Sequence, residues 1–176
     1  ILNDEKGRNI SLRSITLSTC GIPDKIIQLA KENMPIGLAV SIHSLKDDVR
    51  TEMMPINKKY NIDELLDSIR TYQNLTKDRI SFEYTVIPGT NDSDEDVKLL
   101  RNKLKNINCI INLIALNPIL EYNMIRFSNN EVLTFKKKLE DAGLNVTLRR
   151  ELGRDISASC GQLKKSYLEE GVTNEI

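Results

Sequence analysis

Gly37-Leu38-Ala39-Val40-Ser41-Ile42 is nearly continuous in apolar side chains and runs directly into His43-Ser44. A run of this length and character is what a parallel strand covered on both faces requires. It sets the reading of its neighbours. Upstream, Ser14-Ile15-Thr16-Leu17-Ser18 has the β-branched content of a short strand, and Thr19-Cys20-Gly21 ends it. Pro23 then opens a helix with Ile26, Ile27, Leu29 and Ala30 on its apolar side, stopped by residues 33–35. Residues 1–4 read as the frayed end of a helix, joined through the polar link 5–9.

Downstream comes a short charged segment, residues 47–52, and the punctuation Met54-Pro55-Ile56-Asn57. A longer helix begins at Asn61, which caps it with Glu64 three residues on; Ile62, Leu65, Leu66, Ile69 and Tyr72 share one face. Ile80-Ser81-Phe82-Glu83-Tyr84-Thr85-Val86 alternates as a third strand and ends at Pro88-Gly89-Thr90-Asn91. A helix from about Ser93 buries Val97, Leu100 and Leu104, and residues 109–116 form a fourth, strongly apolar strand in which Cys109 is a core residue. Asn117-Pro118 breaks it. The Ser128-x-x-Glu131 capping box opens a helix to Ala142, Gly143 caps that helix, and residues 145–149 are a fifth strand.

Five strands, each too apolar for a sheet with one wet face and separated by helices, define an α/β protein with a parallel sheet and right-handed crossovers. An eight-fold barrel takes about 250 residues. Within 176 residues, five units leave a partial barrel or a doubly wound sheet.

Composition excludes several classes. Lys and Arg total 25 and Asp and Glu total 25, so no global field draws the chain to nucleic acid or membrane. No apolar run approaches the roughly 20 residues of a membrane span. The three cysteines, Cys20, Cys109 and Cys160, match no zinc spacing, and His43 is the only histidine, so metal held by this chain alone is not expected. The cytoplasm is the expected compartment. Phosphate-binding glycine loops are absent.

In parallel α/β architectures the site lies at the carboxyl ends of the strands. There the chain delivers Ser18-Thr19-Cys20, Ser41-Ile42-His43, Asn117, and Arg149-Arg150 leading to Gly153-Arg154-Asp155-Ile156-Ser157-Ala158-Ser159-Cys160-Gly161-Gln162-Leu163. Hydroxyls, an amide and an imidazole suit a polar cofactor, and a thiol among small residues suits covalent work. The plainer readings are a capped strand for Ser18 and Thr19, a loop histidine for His43 and a turn residue for Asn117.

In this order and spacing, Leu17-Ser18-Thr19-Cys20-Gly21, Ser41-Ile42-His43-Ser44, Met54-Pro55-Ile56-Asn57, Asn112-Leu113-Ile114-Ala115-Leu116-Asn117-Pro118 and Asp155 to Leu163 closely resemble the RlmN/Cfr radical S-adenosylmethionine (SAM) RNA methyltransferases. The RlmN branch is favoured by Met54-Pro55-Ile56-Asn57-Lys58-Lys59-Tyr60 and by Val146 to Arg150. The resemblance implies a partial TIM-type (β/α) barrel of about five parallel strands with helices outside. It implies a methyltransferase acting at adenosine C2 of ribosomal RNA and transfer RNA, with SAM and a 4Fe-4S cluster as cofactors and a reducing partner such as flavodoxin. Because an aromatic C–H carbon is a poor nucleophile, the family first places the methyl on a protein thiol; Cys160 matches that cysteine. A second SAM, cleaved at the cluster, yields the radical that activates the methyl. Ser18, Ser41, Ile42, His43 and Asn117 match the SAM contacts.

The family's Cys-x-x-x-Cys-x-x-Cys cluster motif is not in the sequence. Residues 1–176 are therefore expected to be the C-terminal part of a radical SAM barrel, with the cluster-binding half absent and no activity alone. Cys20 is expected to pack, and the bare edge at residues 14–18 to drive self-association. Two other classes stay open: a metal-independent transferase in which His43 activates Cys160, and an RNA-binding module using Arg149 and Arg150.

Overall fold

The computed structural model describes residues 1–115 and 129–149. The strands are β1 (Thr16–Thr19), β2 (Gly37–Ser41), β3 (Ile80–Val86), β4 (Cys109–Ala115) and β5 (Val146–Leu148). The helices are α1 (Pro23–Lys31), α2 (Asp47–Met53), α3 (Ile62–Thr76), α4 (Asp94–Leu104) and α5 (Asn129–Asp141). All neighbouring strands pair in parallel, in the sequential order β1-β2-β3-β4-β5. A doubly wound sheet reverses its strand order at a switch point. This one does not reverse, so crossovers of one hand keep the helices on one face. The sheet is an open (β/α) half-barrel.

Local chemistry explains the best-defined elements. Asn61 Oδ1 accepts from the Glu64 amide and Glu64 Oε2 accepts from the Asn61 amide, each at 3.0 Å, so a complete capping box starts α3. Ser93 and Asp96 repeat it on α4. Gly143, at φ +83°, ends α5 in the left-handed region that costs glycine least. The outer face carries the core. Ile80, Phe82, Tyr84, Val86, Ile111 and Leu113 are fully buried against Ile26, Leu65, Leu66, Ile69, Leu100, Phe135 and Leu139 of the helices. Tyr84 and Phe135 meet with ring centroids 5.8 Å apart.

Three expectations change. The short charged segment at residues 47–52 is itself helical and forms α2 as far as Met53, with Arg50 buried and hydrogen-bonded there. Residues 1–4 are not helical; Arg8 and Ile10 donate to the carbonyls of Ile1 and Leu2, and the segment closes on itself as an exposed turn. Nor are all the strands covered on both faces: β2 is, with Leu38, Ala39 and Val40 buried in succession, but along β3 the side chains alternate, with Ser81, Glu83 and Thr85 only half-buried on the inner face.

Candidate functional site

β1 delivers Ser18, exposed on the inner face in register with Ala39 and, beyond it, Ser81. The turn that follows is tight: Thr19 Oγ1 accepts from the Gly21 amide at 3.1 Å. Gly21 is required at φ +91°, where a Cβ would stand 2.8 Å from Leu65. Cys20, expected to pack, is exposed; what is held there is its carbonyl, which accepts from Arg50 Nη2 at 3.1 Å. The turn aims the peptide inward and leaves the thiol outside.

Arg50 is fully buried. Its Nη1 donates to Asn57 Oδ1 at 2.5 Å, and Asn57 Nδ2 donates to Asp47 and Thr51, so the Met54-Pro55-Ile56-Asn57 segment ties α2 to the end of β1. Asp47 Oδ1 also accepts from the Ile62 amide at the start of α3. A buried guanidinium is tolerable only when hydrogen-bonded, and here one nitrogen, Nε, has no hydrogen-bond partner among the described residues.

β2 runs into the most constrained segment of the site. The Ile42 and His43 amides donate to the Glu83 carbonyl at 3.1 and 3.4 Å, and His43 turns into the left-handed region at φ 55°. A non-glycine residue there costs energy that its surroundings must repay. Asn91 supplies it: fully buried, it donates from Nδ2 to the His43 carbonyl (2.6 Å) and the Thr85 carbonyl (2.8 Å) and accepts from the Ile87 amide at Oδ1 (2.7 Å). Tyr84 Oη holds the Asn91 carbonyl at 2.6 Å.

The Thr85 amide donates to His43 Nδ1 at 3.0 Å. Nδ1 is therefore an acceptor, and the proton of the neutral ring sits on Nε2. Burial first, and the Arg50 cation second, lower the imidazole from 6.5 to about 4. At neutral pH His43 is an uncharged donor through Nε2–H. It cannot serve as a base, since neither nitrogen offers a free lone pair, and the reading in which it activates a thiol loses its support.

Across the inner face runs a polar row. Ser41, Glu83, Asn112 and Thr147 are successive register partners on β2 to β5. Asn112 Nδ2 donates to both Glu83 oxygens at 3.2 and 3.1 Å, and Thr147 Oγ1 donates to Asn112 Oδ1 at 3.2 Å.

The structure thus brings Ser18, Ser41 and His43 to one end of the sheet. Ile42 is different: its side chain is fully buried in the core, leaving only its backbone for a ligand. Asn117, Arg150 and Cys160 lie outside the described residues. Arg149 is exposed after β5, its amide extending the ladder to Leu113. Cys109 is core, and burial raises its thiol to about 11. Sequence reasoning missed Arg50, Glu83 and Asn91 as site-building residues; Asn57 and Asn91 stood inside motifs that read as punctuation.

The match to known proteins follows this geometry. The family model of the radical SAM superfamily matches residues 1–100, more than half of the chain, and the chain belongs to that superfamily. Within it, the chain is 50% identical over 170 residues to the probable dual-specificity RNA methyltransferase RlmN of Lachnospira eligens, covering 97% of this chain and 49% of that protein. It is 48% identical to the protein of the same description from Desulforamulus reducens, over 94% of this chain and 47% of the relative. The crystal structure of a radical SAM methyltransferase from Sphaerobacter thermophilus superposes with a TM-score of 0.86 at 41% identity, covering 92% of this chain and 48% of that one. The chain spans about half the length of the relatives it matches.

The residues present fit one of the two cofactors the superfamily implies. Serine hydroxyls and a neutral imidazole N–H are a donor and acceptor set for a molecule with ribose and amino-acid groups. An iron-sulfur cluster is not matched in the same way. Cys20 follows β1 and Cys109 begins β4, at opposite ends of a parallel sheet, so the two cannot share one cluster. Among the described residues no three His, Cys, Asp or Glu side chains are grouped to hold a metal.

Proposed function

We propose that this chain is the C-terminal part of an RNA adenine-C2 methyltransferase, acting on ribosomal and transfer RNA in the cytoplasm, and that it supplies the SAM-holding wall of a (β/α) barrel. The observation that carries the reading is His43, clamped by Asn91 and Thr85 into a single neutral tautomer at the end of β2. A ring fixed this way presents one N–H donor and adds no positive charge beside a sulfonium. Ser18 and Ser41 hold the same molecule through hydroxyls, the Ile42 backbone lines it, and Asn117 adds an amide.

SAM supplies, when bound, both the methyl group and the radical chemistry that an aromatic C–H carbon requires. This chain's own contribution to bond making would be Cys160, whose thiolate would accept the methyl at Sγ as the methyl–sulfonium bond breaks and the donor leaves as a neutral thioether. The cluster ligands belong to the part of the protein outside these residues, with a flavodoxin-type reductant, and the chain alone is inactive.

The test is Cys160→Ala in the holoenzyme with flavodoxin as reductant: RNA methylation is abolished while SAM cleavage continues. Product formation with an unmodified Cys160, followed by mass spectrometry through turnover, would remove the residue from the mechanism. Leu17 of the edge strand β1 is 41% exposed, and among the described residues β1 has a strand partner on one side only. An open edge of this kind recruits another strand, so the chain by itself self-associates. Light scattering across a concentration series checks this, and a strict monomer contradicts it.

A further inference from the structure

The residue that the described site leaves unexplained is Glu83. It lies mid-strand on β3, half-buried on the inner face, in register with Ser41 on one side and Asn112 on the other. Among the described residues its carboxylate is met by neutral donors: Asn112 Nδ2 at 3.2 and 3.1 Å, and the Ser81 hydroxyl at 3.4 Å. Among the described residues the ion pairs all fall elsewhere, and no lysine or arginine reaches Glu83.

A carboxylate taken partly out of water without a cation is unfavourable for folding. A leucine or glutamine would satisfy the sheet at lower cost. The surrounding row orients the group: Thr147 holds the Asn112 oxygen, which turns the Asn112 N–H groups toward both Glu83 oxygens. Oε1 accepts from both Asn112 and Ser81, while Oε2 accepts from Asn112 alone and keeps a further lone pair open among the described residues. The backbone carbonyl of the same residue receives the Ile42 and His43 amides, so the position of Glu83 is tied to that of the His43 loop.

We propose that Glu83 is a cofactor-contacting residue, its carboxylate, buttressed by Asn112 and Thr147, accepting hydrogen bonds from an O–H or N–H group of the adenosyl cofactor held beside Ser41. The cofactor, and not the RNA, is favoured because Ser41, opposite Glu83 in register, and His43, held by the Glu83 carbonyl, are the residues assigned to it. Two parts of the cofactor carry such donors: the ribose diol and the α-ammonium group. This inference rests on the SAM reading of the site, and its test separates the two.

Calorimetric titration of SAM into the holoenzyme compares the wild type with Glu83→Gln and Asn112→Ala, alongside thermal unfolding of each without ligand. A hydrogen bond to a charged acceptor is lost in Glu83→Gln, so SAM binds at least about tenfold more weakly, while the melting temperature holds or rises because an uncompensated charge is gone. Asn112→Ala keeps the charge, loosens its aim and costs less affinity. Competition with 5′-deoxyadenosine and with methionine names the donor: a loss confined to the first identifies the ribose, and one confined to the second the ammonium. Unchanged SAM affinity in Glu83→Gln overturns this inference and leaves the SAM site standing. A fall in melting temperature with affinity retained, or an Asn112→Ala loss as large as that of Glu83→Gln, assigns Glu83 to the sheet and also overturns it. A wild-type holoenzyme that binds no SAM overturns both readings.

Discussion

The two faces of the β3-β4 pair obey different rules although they alternate along the same residues. On the outer face, Ile80, Phe82, Tyr84, Val86, Ile111 and Leu113 are buried to 1% exposure or less against the helices. On the inner face, Ser81, Glu83, Thr85 and Asn112 are half-buried and hydrogen-bonded to one another or to neighbouring strands. Outer positions are chosen for transfer out of water; the inner face mixes Ile110 and Ile114 with polar groups that burial penalises. Folding selects the first set. The second set is expected to contribute less to stability.

The sharpest test of that division is Phe82→Ala, which empties a fully buried outer position and is expected to cost about 3–5 kcal/mol of unfolding free energy in urea titration. On the inner face Thr147, exposed at the end of the polar row, should lose no more than about 0.5 kcal/mol on replacement by alanine. Equal losses at the two sites would end the distinction.

Asn91 stands between the two faces, a buried polar group serving the site, and its effect should be intermediate. Asn91→Ala leaves the Ile87 amide without its acceptor and the His43 carbonyl without the Asn91 donor, a loss of about 1–3 kcal/mol. Hydrogen exchange at the Ile87 amide reports it locally, and an amide that stays protected in the variant would show that another group takes over.

The most diagnostic effect is the pH dependence of His43. Its folded value of about 4 lies below the unfolded 6.5, so between those values the unfolded chain binds the extra proton. Stability is therefore full above pH 6.5, falls as pH drops toward 4 by at most about 1.4 kcal/mol per pH unit, and levels off below. His43→Gln should flatten that slope in acid unfolding curves. An unchanged slope would assign it to carboxylates.

How much of this was legible beforehand depended on the distance over which each device acts. The α3 capping box, the alternation and exact bounds of β3, the Gly143 cap and the burial of Cys109 are read from residues within a few positions of one another. So were the serines and the histidine at the strand ends, once the parallel α/β pattern placed them there. By contrast, Arg50 reaches Cys20 across 30 residues, Asn112 reaches Glu83 across 29, the Thr85 amide reaches His43 across 42, and Asn91 reaches His43 across 48. No periodicity or cap records such pairs. The charged segment 47–52 therefore gave no sign of its helix or of its buried arginine, and a strand that ended at Pro88 gave no sign that Asn91 would clamp the site. Local chemistry determined which segments are helix and strand; the sequential strand order, the polar row and the tautomer of His43 were decided only by packing, because each depends on which strand lies beside which.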